Sequence, residues 1–248
     1  MKLLNKLAAF TLTSSCILGI SFQASAGDYS YALQLYSLVT EGASVNMPSI
    51  SDLTAPYPDY TGGHVIADLW VYPGQSKCNF ADPADTCEWI EFGKFKGGAG
   101  NFNGQSGDTS PLTGVFNYAG HFYAYNRCTD KCRYYQVNFN GNIPDGRNTY
   151  EITYSSGTWY LLLDGKYIQD LPQFGQIPSA QYVFYGIEEY LNGTNFSFNS
   201  GIQDTNITIK DTSGVYRTVC NNLLSGDYGP AGIHSSFNND STITFTHN

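Results

Sequence analysis

The run NTYEITYSSGTWYLLLDGKYIQDLP, residues 148–172, limits the fold more than any other stretch of this chain. Ser156-Gly157 separates YEITY from TWYLLL, and Asp164-Gly165 separates TWYLLL from KYIQ. Two-residue turns of this kind, set between β-branched and aromatic runs, make hairpins, so three consecutive strands form a meander. A meander leaves one hydrophobic face uncovered, and a second sheet must pack on it.

Further strand candidates recur at similar spacing: HVIADLWVYPG from His64, GVFNYAGHFYAY, RYYQVNF, AQYVFYGIEEYL, TNITIKD, VYRTV and STITFTHN. A short helical piece is expected only near Tyr31 to Thr40. Gly, Tyr, Phe, Thr, Ser and Asn abound, while charged residues make up only 13% of the chain, a composition that suits pleated, half-buried surfaces. The expected fold is all-β, an antiparallel two-sheet sandwich of the concanavalin A-like jelly-roll kind.

Residues 1–26 read as a signal peptide, with two lysines, an apolar run from about Leu7 to Phe22 and a small-x-small site at Ala24-Ser25-Ala26. The mature chain is expected to be secreted, extracellular or periplasmic, with residues 27–60 as an N-terminal arm and 61–248 as the sandwich domain. No later apolar run is long enough to span a bilayer, so no membrane contact is expected after cleavage, and a monomer is the default. Loss of Lys2 and Lys6 leaves a net charge of about −11, which argues against nucleic acid as a partner.

In a secreted chain, neighbouring cysteines read as disulfides. Cys78 is expected to pair with Cys87 and Cys128 with Cys132, leaving Cys220 over. Zinc is disfavoured because the C-x8-C and C-x3-C spacings lack the usual C-x2-C knuckles, and no cofactor is expected. The Gly-rich stretch 97–114 is expected as a surface loop, with a flap over a cleft as the sharper alternative.

No G-x-S-x-G, H-E-x-x-H or phosphate-cradling loop is present. Glutamate is scarce, and its placement is informative. Glu88 and Glu151 lie near strand starts and are expected in solvent, whereas Glu91 and the Glu188-Glu189 pair lie inside aromatic strands. An unpaired charge there is costly, and neighbouring buried carboxyl groups push their pKa values apart, so that one can hold a proton while another accepts one. The plainer reading is that each glutamate faces solvent or pairs with Lys94, Lys96 or Arg133.

HVIADLWVYPG followed by CEWIEFGKFKG resembles two adjacent strands of the glutamic peptidases, both the eqolisins and the neprosin type. Ile90-Glu91-Phe92-Gly93 is similar to the neprosin run that bears a catalytic glutamate. The strand HFYAYNR, the small loop RCTDKC and the segment SSGTWYLLLDGKYIQDLP resemble neprosin in order and spacing, over roughly residues 60–210. The resemblance implies two seven-stranded sheets with a catalytic pair on a concave face, and peptide hydrolysis at acidic pH, often beside proline, without a metal. Glu91 would polarise water, and Trp70, Tyr123 and Tyr185 would line the substrate. For the second acid, Phe184 stands where the neprosin pattern has glutamate, the eqolisin alignment offers Gln181, and a shifted register offers Glu188.

The sequence thus points first to an enzyme, a secreted endopeptidase acting on peptide or protein with Glu91 and Glu188. A non-catalytic lectin-like module binding carbohydrate or peptide stands second, and a glycoside hydrolase using the same two carboxyl groups stands third.

Overall fold

The computed structural model describes residues 28–54, 64–73, 88–99, 116–128, 132–139, 143–191, 197–220, 223–225, 227, 232–238 and 241–247. The expected leader, both Cys78 and Cys87, and most of the Gly-rich stretch lie outside them.

The described residues form seventeen strands, almost all in two antiparallel sheets. The first sheet contains β1 (Asp28–Tyr36), β4 (His64–Pro73), β5 (Trp89–Ala99), β6 (Phe116–Cys128), β7 (Cys132–Phe139), β11 (Ala180–Leu191) and β15 (Leu223–Ser225), in the order β15-β1-β11-β4-β5-β6-β7. The second contains β2 (Gly42–Met47), β8 (Asn148–Ser155), β9 (Thr158–Leu163), β10 (Lys166–Leu171), β13 (Ile202–Lys210), β16 (Ile233–Asn238) and β17 (Thr242–His247). Its order is β10-β9-β8-β2-β13-β17-β16, with β14 (Tyr216–Thr218) attached to β13. A two-stranded ribbon joins β3 (Leu53–Thr54) to β12 (Ser197–Phe198). The second sheet is eight-stranded, where the family resemblance implied seven.

The meander forms as its turns dictate. Ser156 and Gly157 have φ of 50° and 83°, and Asp164 and Gly165 have 51° and 72°. Positive φ at both central residues matches the right-handed twist of the strands they join. β8, β9 and β10 follow in adjacent positions.

Two expectations about the N-terminal region are corrected. The stretch near Tyr31 to Thr40 begins as strand β1, paired with β11 and β15, and not as a helical piece. Within residues 27–60, expected as an arm, the described segments Asp28–Tyr36 and Gly42–Met47 supply β1 to one sheet and β2 to the middle of the other.

Apolar side chains of one parity fill the space between the sheets: Val65, Ala67, Leu69 and Val71 from β4, Ile90 and Phe92 from β5, and Val183, Tyr185 and Ile187 from β11. They meet Val45, Ile152, Trp159, Leu161, Ile207 and Phe245 from the second sheet. The opposite parity of β4 to β6 carries a separate apolar cluster of Ile66, Phe95, Phe122 and Ala124. Strands buried on both faces read as nearly continuous apolar runs, which accounts for HVIADLWVYP and WIEFGKF. At the β6–β7 hairpin Cys128 is disulfide-bonded and stands in register with Cys132. Cys220 is free and exposed.

Candidate active site

Register decides which side chains share a face. Glu91 on β5 lies opposite Trp70 on β4, and Trp70 opposite Phe184 on β11. In the next row Gly93, Asp68 and Gly186 are partners, and in the row after that Phe95, Ile66 and Glu188. Side chains of one parity point one way, so Glu91, Asp68 and Glu188 all rise from the outward face of the seven-stranded sheet, away from the inter-sheet core. They form a diagonal, one carboxyl group per strand, with successive Cα atoms about 8 Å apart for diagonal neighbours.

Asp68 is the member that sequence reasoning missed. It has the parity of Trp70, two residues on, which was itself assigned to the substrate face; that parity was the available signal. Glycines on both sides of it leave it the single side chain of its row on three strands. A Cβ on Gly93 would stand 2.1 Å from the Ala67 carbonyl oxygen and 2.9 Å from the Asp68 Cα, so the two backbones approach too closely for any other residue there.

All three carboxyl groups are withdrawn from solvent: Asp68 is 0% exposed, Glu91 5% and Glu188 6%. Burial, reinforced by the Glu188 charge, raises Glu91 to about 8; the Trp70 indole and Asp68 act against this by hydrogen bonding to its charged form. Burial raises Asp68 well above the usual carboxylate range, with Glu91 and then Glu188 adding to it. Neither Asp68 oxygen meets a partner at full hydrogen-bond geometry. A looser side-chain contact between the two raises Asp68 and lowers Glu91. At neutral pH this corner of the sheet therefore keeps protons on groups that ordinarily release them.

Glu188 is flanked by His64, whose Nε2 lies 3.4 Å from Oε1, while the His64 ring packs on Phe95 with centroids 4.8 Å apart. Lys94 and Lys96 do not reach the carboxyl groups, because they have the inward parity. Lys94 is completely buried and donates to the carbonyls of Pro48 at 2.6 Å and Gly146 at 2.5 Å, and Lys96 donates to the Leu53 carbonyl. Glu88, expected in solvent, is buried; it pairs with Arg127 and accepts from the Cys128 N–H at 3.1 Å.

The other site candidates separate by face. Trp70 stands beside Glu91, in ring contact with Trp89, Phe184 and Tyr72. Tyr123 pairs with Phe92 and has the inward parity, its hydroxyl 3.4 Å from Gln169 Oε1. Tyr185 is buried in the core and donates to the Thr208 carbonyl at 3.2 Å. Neither tyrosine shares a face with Glu91. Gln181 sits at a register shift and is exposed, away from the carboxyl diagonal. Glu189 points inward, where burial raises it to about 7, with His247 Nε2 3.7 Å away. Among the described residues no group of three or more His, Cys, Asp or Glu side chains converges as metal ligands would.

No family model matches the sequence, and no curated protein matches it. Solved structures similar to it include sheep galectin-11 in complex with glycerol, at 10% identity and a TM-score of 0.31, covering 66% of this chain and 92% of that one. A β-1,3-1,4-glucanase from a mouse hindgut metagenome has 12% identity and a TM-score of 0.34, covering 71% and 86%. A family 16 endo-glucanase from Bacteroides ovatus has 10% identity and a TM-score of 0.34, covering 71% and 77%.

The peptidase reading is corrected at this point. The similar structures just named are a galectin and two glucanases, none of them a glutamic peptidase. The residue in register with Trp70 and Glu91, where that reading requires a second acid, is Phe184, 2% exposed and packed on Tyr72 with ring centroids 5.2 Å apart.

Proposed function

We propose that the outward face of the seven-stranded sheet hydrolyses glycosidic bonds. The observation that carries this reading is the carboxyl diagonal, in which Glu91 and Glu188 rise from the same face two strands and two rows apart and burial raises Glu91 to about 8. Glycoside hydrolysis needs two carboxyl groups in different roles. Glu91 is the general acid, giving its proton to the leaving glycosidic oxygen. Glu188 is the second carboxyl group; as base it takes a proton from the attacking water, and as nucleophile it would bond to the anomeric carbon itself. Separation of the two head groups in the loaded enzyme selects between them, about 5–5.5 Å for attack by the carboxylate and about 6.5–9.5 Å for attack by water.

Asp68 is a positioning residue, too buried to touch substrate. Its side-chain contact with Glu91 favours the charged form of that group, so it orients that carboxyl group and stabilises the charge left there after proton donation.

The test is release of reducing ends from a panel of soluble polysaccharides by the native protein and by Glu91→Gln. Release that falls by about 100-fold or more in the variant supports the assignment. Release that is unchanged in a folded Glu91→Gln protein removes Glu91 from the mechanism.

A further inference from the structure

The face that bears the carboxyl diagonal continues across β6 to the edge strand β7. Trp89, Asn126 and Tyr134 are partners in one row, and Glu91, Ala124 and Gln136 in the next. Trp89 and Tyr134 are partly exposed, and their rings converge above buried Asn126 with centroids 5.5 Å apart and planes inclined at 51°. Trp89 also stacks on Trp70, 6.3 Å away at 21°, so the bracket is braced against the residue that adjoins Glu91.

Along β7 the polar groups are ordered in one direction. The Tyr134 hydroxyl donates to Gln136 Oε1 at 2.6 Å, and Gln136 Nε2 donates to Asn138 Oδ1 at 3.0 Å. A chain of this kind holds its members in fixed orientation. Aromatic rings offering a flat apolar surface, beside amides of fixed orientation, match a sugar ring, which has C–H groups on its faces and hydroxyls around its edge.

Charge narrows the class of sugar. At the outward positions of β4 to β7 and β11 among the described residues there is no lysine or arginine, and His64 is the only basic side chain. Among the described side chains the neighbouring cations are committed elsewhere: Lys94 and Lys96 to inward carbonyls, Arg127 to Glu88 and the Gln173 carbonyl. A uronate or sulfate group would arrive near Glu188 with no lysine or arginine to receive it, the one basic neighbour, His64, already lying 3.4 Å from the Glu188 carboxyl group, and recognition of such groups relies on Arg and Lys.

We infer that the Trp89–Tyr134 bracket and the Gln136–Asn138 amides form a sugar subsite beside Glu91 for an uncharged polysaccharide. The inference rests on the carbohydrate reading of the same face and adds to it a place and a substrate class.

The experiment is affinity electrophoresis of the full chain carrying Glu91→Gln, in gels containing a soluble β-glucan, galactomannan or arabinoxylan, with polygalacturonate and carrageenan as the anionic arms. Retardation by at least one neutral polymer and by neither anionic one is the expected result. Adding Trp89→Ala should weaken binding roughly tenfold. Tyr134→Phe, which keeps the ring and removes only the hydroxyl that holds Gln136, should weaken it less. Preference for an anionic polymer, no binding to any neutral one, or binding unchanged in a folded Trp89→Ala protein overturns the inference. Neutral binding lost in Trp89→Ala, with no sugar released by the native protein, refutes hydrolysis and leaves the subsite standing. Hydrolysis that survives Trp89→Ala undiminished refutes the subsite alone.

Discussion

Replacing Glu91 by glutamine should change how stability depends on pH, and the size of the change follows from the burial of the side chain. The ordinary glutamate pKa is 4.5, and in the folded chain Glu91 titrates at about 8. A carboxyl group raised by folding binds its proton more tightly in the native state, so its contribution is fully present below about pH 4.5 and is lost as pH rises through the folded value. Between those limits the native protein loses about 1.4 kcal/mol per pH unit from this group, on the order of 5 kcal/mol in all. That is a large fraction of the stability of an ordinary domain, about 5–15 kcal/mol. Glutamine is close in shape to the protonated acid and cannot ionise, so Glu91→Gln should remove the slope. Urea unfolding of native and variant protein at pH 5, 6, 7 and 8 measures it, with the difference between the two proteins isolating Glu91 from Glu189, which slopes the same way, and from His121 and His247, whose lowered values slope the other way. Lys94, lowered to about 8, contributes the opposite slope only between about 8 and its ordinary 10.5, outside this window. A native protein whose stability relative to Glu91→Gln is the same at pH 5 and pH 8 would refute the reasoning.

Three further outcomes are expected. Gly93→Ala places a methyl group against the Ala67 carbonyl and should lower stability by about 1–3 kcal/mol or prevent folding, whereas Gly165→Ala, at φ 72° with open space around it, should cost only about 1 kcal/mol of backbone strain; thermal unfolding of both variants compares them. Glu189→Gln should stabilise the protein at pH 8 relative to pH 5 by on the order of 3 kcal/mol, because a buried carboxyl group raised to about 7 no longer has to ionise there; equal denaturation midpoints at the two pH values, relative to native, would contradict this. Asp68→Ala should raise the pKa of the acidic group seen in the pH–rate profile of sugar release, since it removes the hydrogen bond that favours the charged form of Glu91; a profile identical to native would show that Asp68 does not position Glu91.

The meander and the two-sheet layout were legible because their signals are local: Asp164-Gly165 can adopt the positive φ of a tight hairpin whatever surrounds it. The burial of Glu91 was legible for a related reason, since a carboxyl group amid aromatic residues of one strand is anomalous without any knowledge of the neighbours. Phe184 and Glu188 share parity, and the structure keeps them on one face, two rows apart. Tyr185 fails by the same rule: three residues from Glu188, it must point the other way, into the core. Tyr123 could not be placed from its own strand, because only pairing of Ala124 with Glu91 fixes which parity of β6 faces outward. Asp68 gained its meaning from two glycines on two other strands, one of them more than a hundred residues distant, and cross-strand register is not written in any single segment. The β1 strand was misread as helix because its partners, β11 and β15, lie late in the chain, and tertiary pairing there overrides local preference.

The protonation state of Glu91 can be read directly. The chain has six glutamates, few enough for a carbonyl-carbon NMR titration of glutamate-labelled protein, with Glu91→Gln assigning the resonance by its loss. The expected result is a Glu91 carboxyl signal that stays in its protonated position through pH 6 and titrates near 8. A Glu91 resonance already at its carboxylate position at pH 6, moving only below about pH 5 as an ordinary solvated glutamate does, would contradict it.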